Sequence, residues 1–344
     1  MHLSKPQIYD RIAPVMSGAT AETKAVLTTI RNTNRQILIG SQKEASVIQS
    51  LSGRLPVLYG FEYQDGQTAN TAAIVSAYND GAMIGISDHM PNFLTWAGMG
   101  TYSHAAGSNP QSNGCYDKSQ NVLTEILPGG SKNAAFLAYV DAVCAWISSL
   151  VGADGKKIPV LWRPLHEANG DWFWWHNKTG AAQFVTAFQY YVDRMRTNGV
   201  TNALIVWCPT VNTQGGMLLY YADINPFNPG ATYCDIVGLD IYSNAAGGSL
   251  RHGWVRSGYA AAEQIAGELN RPLGLAEIGF QSSAWNWSAT SESFWDVVIL
   301  RQIKAEMPAV RYAMFWNDVF APVVGKTTSD SAVRMLADPY CVLR

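Results

Sequence analysis

Two glutamates stand at the ends of apolar runs in this 344-residue chain. Glu167 lies in RPLHEANGDWFWW (163–175) and Glu277 in PLGLAEIGF (272–280). His166 precedes Glu167, and Trp172, Trp174 and Trp175 follow it in a stretch poor in other charge. Two carboxylates flanking one pocket, ~5 Å apart, can break an acetal by double displacement. One attacks the anomeric carbon; the other protonates the leaving oxygen and later takes a proton from water. The acid must keep its proton at working pH, which burial among aromatic rings favours, while the nucleophile must stay ionised. The three tryptophans suit Glu167 to the first task. Tyr242, in CDIVGLDIY (234–242), is placed to donate a hydrogen bond that holds Glu277 ionised and aimed.

Each residue also has a plainer reading. A lone glutamate at a strand end is commonly a salt-bridge partner, and Arg163 is available to Glu167. A tryptophan-rich turn is commonly packing. Two strand-end glutamates, both with aromatic and His or Tyr company, make coincidence a poorer account than chemistry.

Other site chemistries find no support. Gly325-Lys326-Thr327 resembles the end of a phosphate loop, but Phe320 occupies its leading glycine position. His166-Glu167 lacks the second histidine of a zinc protease, since residue 170 is Gly170. No G-x-S-x-G elbow occurs. No metal and no cofactor are expected. The sequons at Asn177 and Asn286 bear on the chain only in a eukaryotic secretory host.

The elements that must carry these residues recur along the chain. Eight apolar, β-branched-rich runs are read as strands: 35–40, 55–61, 82–89, 158–167, 202–209, 234–242, 272–280 and 310–318. They are near-continuous rather than alternating, as strands buried on both faces should be. Helical patterns lie between most of them, at 20–35, 68–81, 131–150, 179–199, 258–270 and 291–307. Ser131 is the expected N-cap of the third, Gly199 follows the end of the fourth, and Glu292 sits near the positive end of the last. Strands alternating with helices imply an α/β protein, and a count of eight favours a (β/α)8 TIM barrel in a single domain, residues 1–344. The absence of a glycine-rich fingerprint after the first strand disfavours an open doubly wound sheet. A barrel gathers its strand ends at one mouth, so Glu167, Glu277, Asp88-His89, Asp240–Tyr242 and Trp316–Asp318 should meet there. The loop-rich stretch 90–132 falls on the same face.

Composition agrees. Charged residues are 15% and net charge is −2, so neither nucleic acid nor an anionic membrane surface is an expected partner. No run of ~18 apolar residues would span a bilayer, and the N-terminus shows no signal-peptide core. Aromatics are abundant (12 Trp, 16 Tyr, 11 Phe); about half are assigned to the core and the rest to loops suited to flat, partly apolar ligands. Five cysteines without CxxC spacing permit one bridge and leave at least one free thiol.

The run Arg163–Gly170 followed by Trp172–Trp175 resembles the strand-four signature of glycoside hydrolase family 26, the β-mannanase family of retaining (β/α)8 glycosidases. Gly238–Tyr242, Ile278-Gly279 and Trp316 extend the likeness over roughly residues 35–320. The resemblance implies that Glu167 is the acid/base and Glu277 the nucleophile. It implies that His166 and Tyr242 orient the site, that Trp316 is the floor beneath the sugar at the scissile bond, and that Trp172 and His89 contact sugars nearby. Arg163 is grouped with these binding residues. Three positions depart from the family pattern: Asp88 stands where Trp is common, Asn317 where several members have Arg, and Ala168 where Met is frequent. Asp88 bears on His89 and the adjoining subsite, and Glu62 is a further acid that could reach a distal one. The implied substrate is mannan, cleaved by an endo-acting, secreted or periplasmic monomer. A β-1,3-xylan, a mixed-linkage β-glucan or a bacterial polysaccharide is the alternative glycan, and an inactive carbohydrate-binding barrel the alternative class.

Overall fold

The computed structural model describes residues 13–42, 45–63, 68–98, 114–176, 180–211, 213, 217–243, 255–280, 294–316, 321–322, 324 and 329–344. Eight strands form the barrel: β1 (Ile37–Gln42), β2 (Leu58–Tyr63), β3 (Met83–Asp88), β4 (Val160–Arg163), β5 (Ala203–Trp207), β6 (Ile236–Ser243), β7 (Leu273–Phe280) and β8 (Val310–Phe315). Each pairs in parallel with its sequence neighbours, and β8 pairs with β1, which also pairs with β2, so the sheet closes. The expected (β/α)8 barrel is therefore the fold. A short ninth strand, β9 (Cys341–Val342), runs parallel to β1 and was not foreseen; at two residues it carries no readable pattern.

The near-continuous apolar runs are explained by burial on both faces. Inside the barrel, Leu38, Leu58, Leu161, Leu204, Val206, Ile236 and Met314 form one cluster with Leu27 and Ile30. Those last two belong to the first helix, Ala21–Asn32, which thereby joins the barrel's inner core. Its Thr20 cap accepts from the Thr23 amide at 3.1 Å. Outside, the alternate residues pack against the helices, with Trp162, Trp207 and Trp295 fully buried.

Several local expectations are corrected. The helix expected to be capped by Ser131 spans Asn133–Ser149; Ser131 instead donates its hydroxyl and amide to Glu125 Oε2, at 2.6 and 2.9 Å. The run at 158–167 is strand only as far as Arg163. Helices at Ala45–Ser52 and Ser329–Ala337 were missed, being short. The helix Ala181–Thr197 ends as expected, with Gly199 at φ 65°. Before Ala260–Leu269 and Arg301–Glu306 the chain winds as π-helix, over Val255–Tyr259 and Phe294–Leu300. Glu292, both sequons, Gly325–Thr327, Asn317 and Asp318 lie outside the described residues. All five cysteines are buried and none is in a disulfide, so the bridge that five cysteines permit is not formed. Among the described residues no helix is long and apolar enough to cross a membrane.

Candidate active site

The mouth of the barrel collects Glu167, Glu277, His89, Asp240, Tyr242 and Trp316, and two local distortions aim the glutamates. Past β4 the backbone turns sharply, with Leu165 and Glu167 both left-handed at φ 48° and 55°. Such conformations cost non-glycine residues about 1–3 kcal/mol each and persist only where surroundings over-determine them. Here the surroundings do so. The Glu167 amide donates to the Cys208 carbonyl at 2.7 Å, and the Gly170 amide to the Glu167 carbonyl at 2.9 Å. Asn169 clasps Thr210 twice, Nδ2 to its carbonyl (2.8 Å) and Oδ1 from its amide (2.9 Å). The Trp175 indole donates to the His166 carbonyl at 2.7 Å.

Glu277 depends on a bulge. Leu273 and Leu275 face the helices, so strict alternation would send Glu277 outward with them. The β6–β7 register passes from Leu239↔Leu275 directly to Asp240↔Glu277, leaving Ala276 extra. Ala276 packs inside and Ile278 outside, so the phase has reversed and Glu277 faces the mouth.

One carboxylate oxygen from each of Glu167, Asp240 and Glu277 lies within 4.8 Å of those of the other two. All three side chains are buried. Arg163 is the cation among them: Nη1 donates to Asp240 Oδ2 at 2.7 Å, and Nη2 donates to Glu277 Oε1. The Arg163–Glu167 pair of the plainer reading is not formed, because Arg163 points inward from β4 toward β6 and β7 while the chain turns before Glu167. Burial alone would lower the guanidinium's pKa, but Asp240 and Glu277 outweigh it and keep Arg163 charged. Tyr242 donates to Glu277 Oε2 at 2.5 Å, the hydrogen bond expected of it.

Glu167 is left with a different environment. The Trp172 indole donates to its Oε2 at 2.7 Å. Burial, then the nearby Asp240 and Glu277, push its pKa well above the ordinary carboxylate value, against the opposing pull of Arg163 and Trp172. The two carboxylates thus stand in different surroundings, Glu277 against Arg163 and Tyr242, Glu167 against the Trp172 indole. Gly170 makes the indole contact possible: a β-carbon there would fall 2.7 Å from the Trp172 ring. Trp174 and Trp175 lie in the packed layer of the same loop. Both are buried, and Trp174 donates to the Met90 carbonyl at 3.1 Å.

His89, His166 and Trp316 share the mouth. The two imidazoles meet edge to face with centroids 4.8 Å apart, and His89 lies 6.4 Å from the Trp316 ring. Burial, Arg163 and His89 together hold the His166 pKa well below 6.5, so it is neutral. For His89, burial acts downward, but Glu62 outweighs it and raises the pKa. Glu62 is itself buried and bonded to His89 Nδ1 at 2.6 Å, so it supports that ring rather than reaching a distal subsite. Asp88 faces the helices, not the mouth: it is fully buried and accepts from the Tyr139 hydroxyl at 2.8 Å. Asp240 stands at the mouth as expected of its strand end, with a role the sequence did not assign; Cys208 was not singled out for the site, and its position at a strand end was the one signal that could have marked it.

A closed parallel barrel with two buried carboxylates this close, in contrasting environments at its mouth, defines a glycoside hydrolase. The chain belongs to glycosyl hydrolase family 26, whose model matches residues 15–342. It is 27% identical to a mannan endo-1,4-beta-mannosidase of Bacillus subtilis (strain 168), over 95% of this chain and 88% of that protein. A mannan endo-1,4-beta-mannosidase of Bifidobacterium adolescentis is 24% identical over 87% of this chain, which spans only 31% of that longer protein. Among solved structures, a Cellulomonas fimi endo-beta-1,4-mannanase double mutant superposes with a TM-score of 0.80 at 25% identity, covering 97% of this chain and 78% of the other.

Proposed function

We propose that this enzyme is an endo-acting, retaining β-1,4-mannanase. The observation that carries the mechanism is the approach of Glu167 and Glu277, with oxygens within 4.8 Å. That spacing suits the ~5–5.5 Å of retaining enzymes and leaves no room for the water that an inverting pair holds across ~6.5–9.5 Å. Glu277, aimed by Arg163 and Tyr242, attacks the anomeric carbon and forms a glycosyl ester. Glu167, kept protonated by burial and its acidic neighbours, gives its proton to the departing oxygen. In the second step Glu167 takes a proton from water, the water oxygen attacks the same carbon, and Glu277 leaves as a carboxylate. His166 orients the site, Trp316 floors the sugar at the scissile bond, and His89 and Trp172 contact neighbouring sugars. The substrate reading rests on the relatives' names, and Asp88 no longer argues for another glycan because its side chain faces Tyr139. Residues 1–344 act as a single catalytic domain, a monomer working outside the cytoplasm, where a polymeric glycan is met.

The experiment is release of reducing sugar from mannan, with β-1,3-xylan and mixed-linkage β-glucan beside it. Mannan is expected to be cleaved fastest. Glu277→Ala should abolish hydrolysis of every glycoside. Glu167→Ala should spare glycosylation by activated aryl glycosides far more than by mannan, since such leaving groups need little acid help. Equal loss on both substrates sinks the role given to Glu167.

A further inference from the structure

Cys208, one residue past the end of β5, touches both halves of the site at once. Its carbonyl accepts from the Glu167 amide at 2.7 Å and so holds the left-handed turn that presents the acid. Its thiol donates to Asp240 Oδ1 at 3.1 Å. The other oxygen of Asp240, Oδ2, receives Arg163 Nη1, and Arg163 Nη2 goes to Glu277. The Cys208 sulfur also lies 4.0 Å from Arg163 Nη1. The chain of contacts therefore runs from thiol to carboxylate to guanidinium to carboxylate.

We propose that Cys208 is a positioning residue of the glycosidic reaction: its thiol satisfies one oxygen of Asp240, so that Arg163 is shared between Asp240 and Glu277 rather than drawn to Asp240 alone. The inference rests on the role of Glu277 given above. The thiol remains a donor, since burial and then Asp240 push its pKa well above the usual thiol value. A buried carboxylate that loses a donor must recruit another. The guanidinium already donates to the other oxygen of Asp240, and Arg163 moving further toward Asp240 withdraws charge from Glu277. Substrate contacts stay where they were, so the loss falls on the bond-breaking step.

The test compares Cys208→Ala and Cys208→Val, which both remove the donor, with Cys208→Ser, which keeps one. On whichever β-glycan the wild type cleaves, Ala and Val should each lower kcat about tenfold with KM within about twofold, as for an interaction realised in the transition state. The acid limb of kcat/KM should move to higher pH in both. Ser should restore the wild-type limb and most of kcat. If Ala and Val keep the wild-type limb, whatever their melting temperatures, or if Ser behaves as Ala does, the inference is overturned and Cys208 is core filling. A substrate-free readout separates this from the substrate reading. In the wild type minus Cys208→Ser infrared difference spectrum, the S–H stretch should fall below that of the other four thiols. A band at the free-thiol frequency overturns the inference whatever glycan is cleaved, whereas cleavage of another glycan in place of mannan overturns the substrate alone.

Discussion

Replacing Trp172 by Phe removes one N–H from the site and keeps a ring in its place. The indole donates to Glu167 Oε2 at 2.7 Å, a charge-assisted contact when Glu167 is ionised. It opposes the larger effects of burial, Asp240 and Glu277, which favour the protonated acid. Hydrogen bonds to charged groups contribute about 1.5–3 kcal/mol. At ~1.36 kcal/mol per unit, full loss would raise the Glu167 pKa by about one to two units. Trp172 is only half-buried, so water can reach the freed oxygen and recover part of this, leaving about one unit. The sign follows directly. Glu167 must be protonated in the first step, and removing a contact to its ionised form prolongs protonation to higher pH. The alkaline limb of kcat/KM on mannan, which reports the free enzyme's acid, should therefore move up by about one unit. The assay is a pH profile of kcat/KM for wild type and Trp172→Phe, with an activated aryl glycoside as the control that needs no acid. An alkaline limb that stays in place or moves down refutes the assignment of that limb to Glu167, or the contribution of the indole to it.

Two further outcomes follow from the same geometry. Gly170→Ala should reproduce the alkaline shift and lower kcat as well, because its β-carbon would sit 2.7 Å from the Trp172 ring and force the ring off Glu167; an unchanged pH profile would show that the ring gives way without losing its bond. Tyr139→Phe removes the donor to buried Asp88 and should cost about 1–3 kcal/mol in denaturant unfolding while leaving kcat and KM on mannan unchanged; a changed KM would return Asp88 to the binding site.

Much of the scaffold was legible because parallel barrel strands are buried on both faces and announce themselves as unbroken apolar runs. The eight runs correspond to β1–β8, with ends displaced by a few residues. What failed were short elements and special backbone: the helix at Ala45–Ser52, the two-residue β9, the π-helical turns, and the sharp turn that ends β4 at Arg163. In the site, Trp172, Trp174 and Trp175 read alike as letters. One bonds Glu167, while the other two are packed beneath the loop, a distinction set by which way each ring leaves a turn of no regular period.

The sequence by itself determined which chemical groups stand at strand ends, hence that two glutamates, two histidines, Tyr242 and Trp316 would share one mouth. The position of each group at the end of an apolar run settles that once the runs close into a barrel, and such runs are local. Only the tertiary structure decided how the groups pair. Arg163 serves Asp240 and Glu277, 77 and 114 residues away, and not its neighbour Glu167. Glu277 faces inward because β7 carries a bulge between its neighbours β6 and β8, against the alternation of its own strand. Charge pairing and strand phase are properties of neighbours in space, and a buried carboxylate takes its character from whichever cation and donors the fold brings within a few ångströms of it.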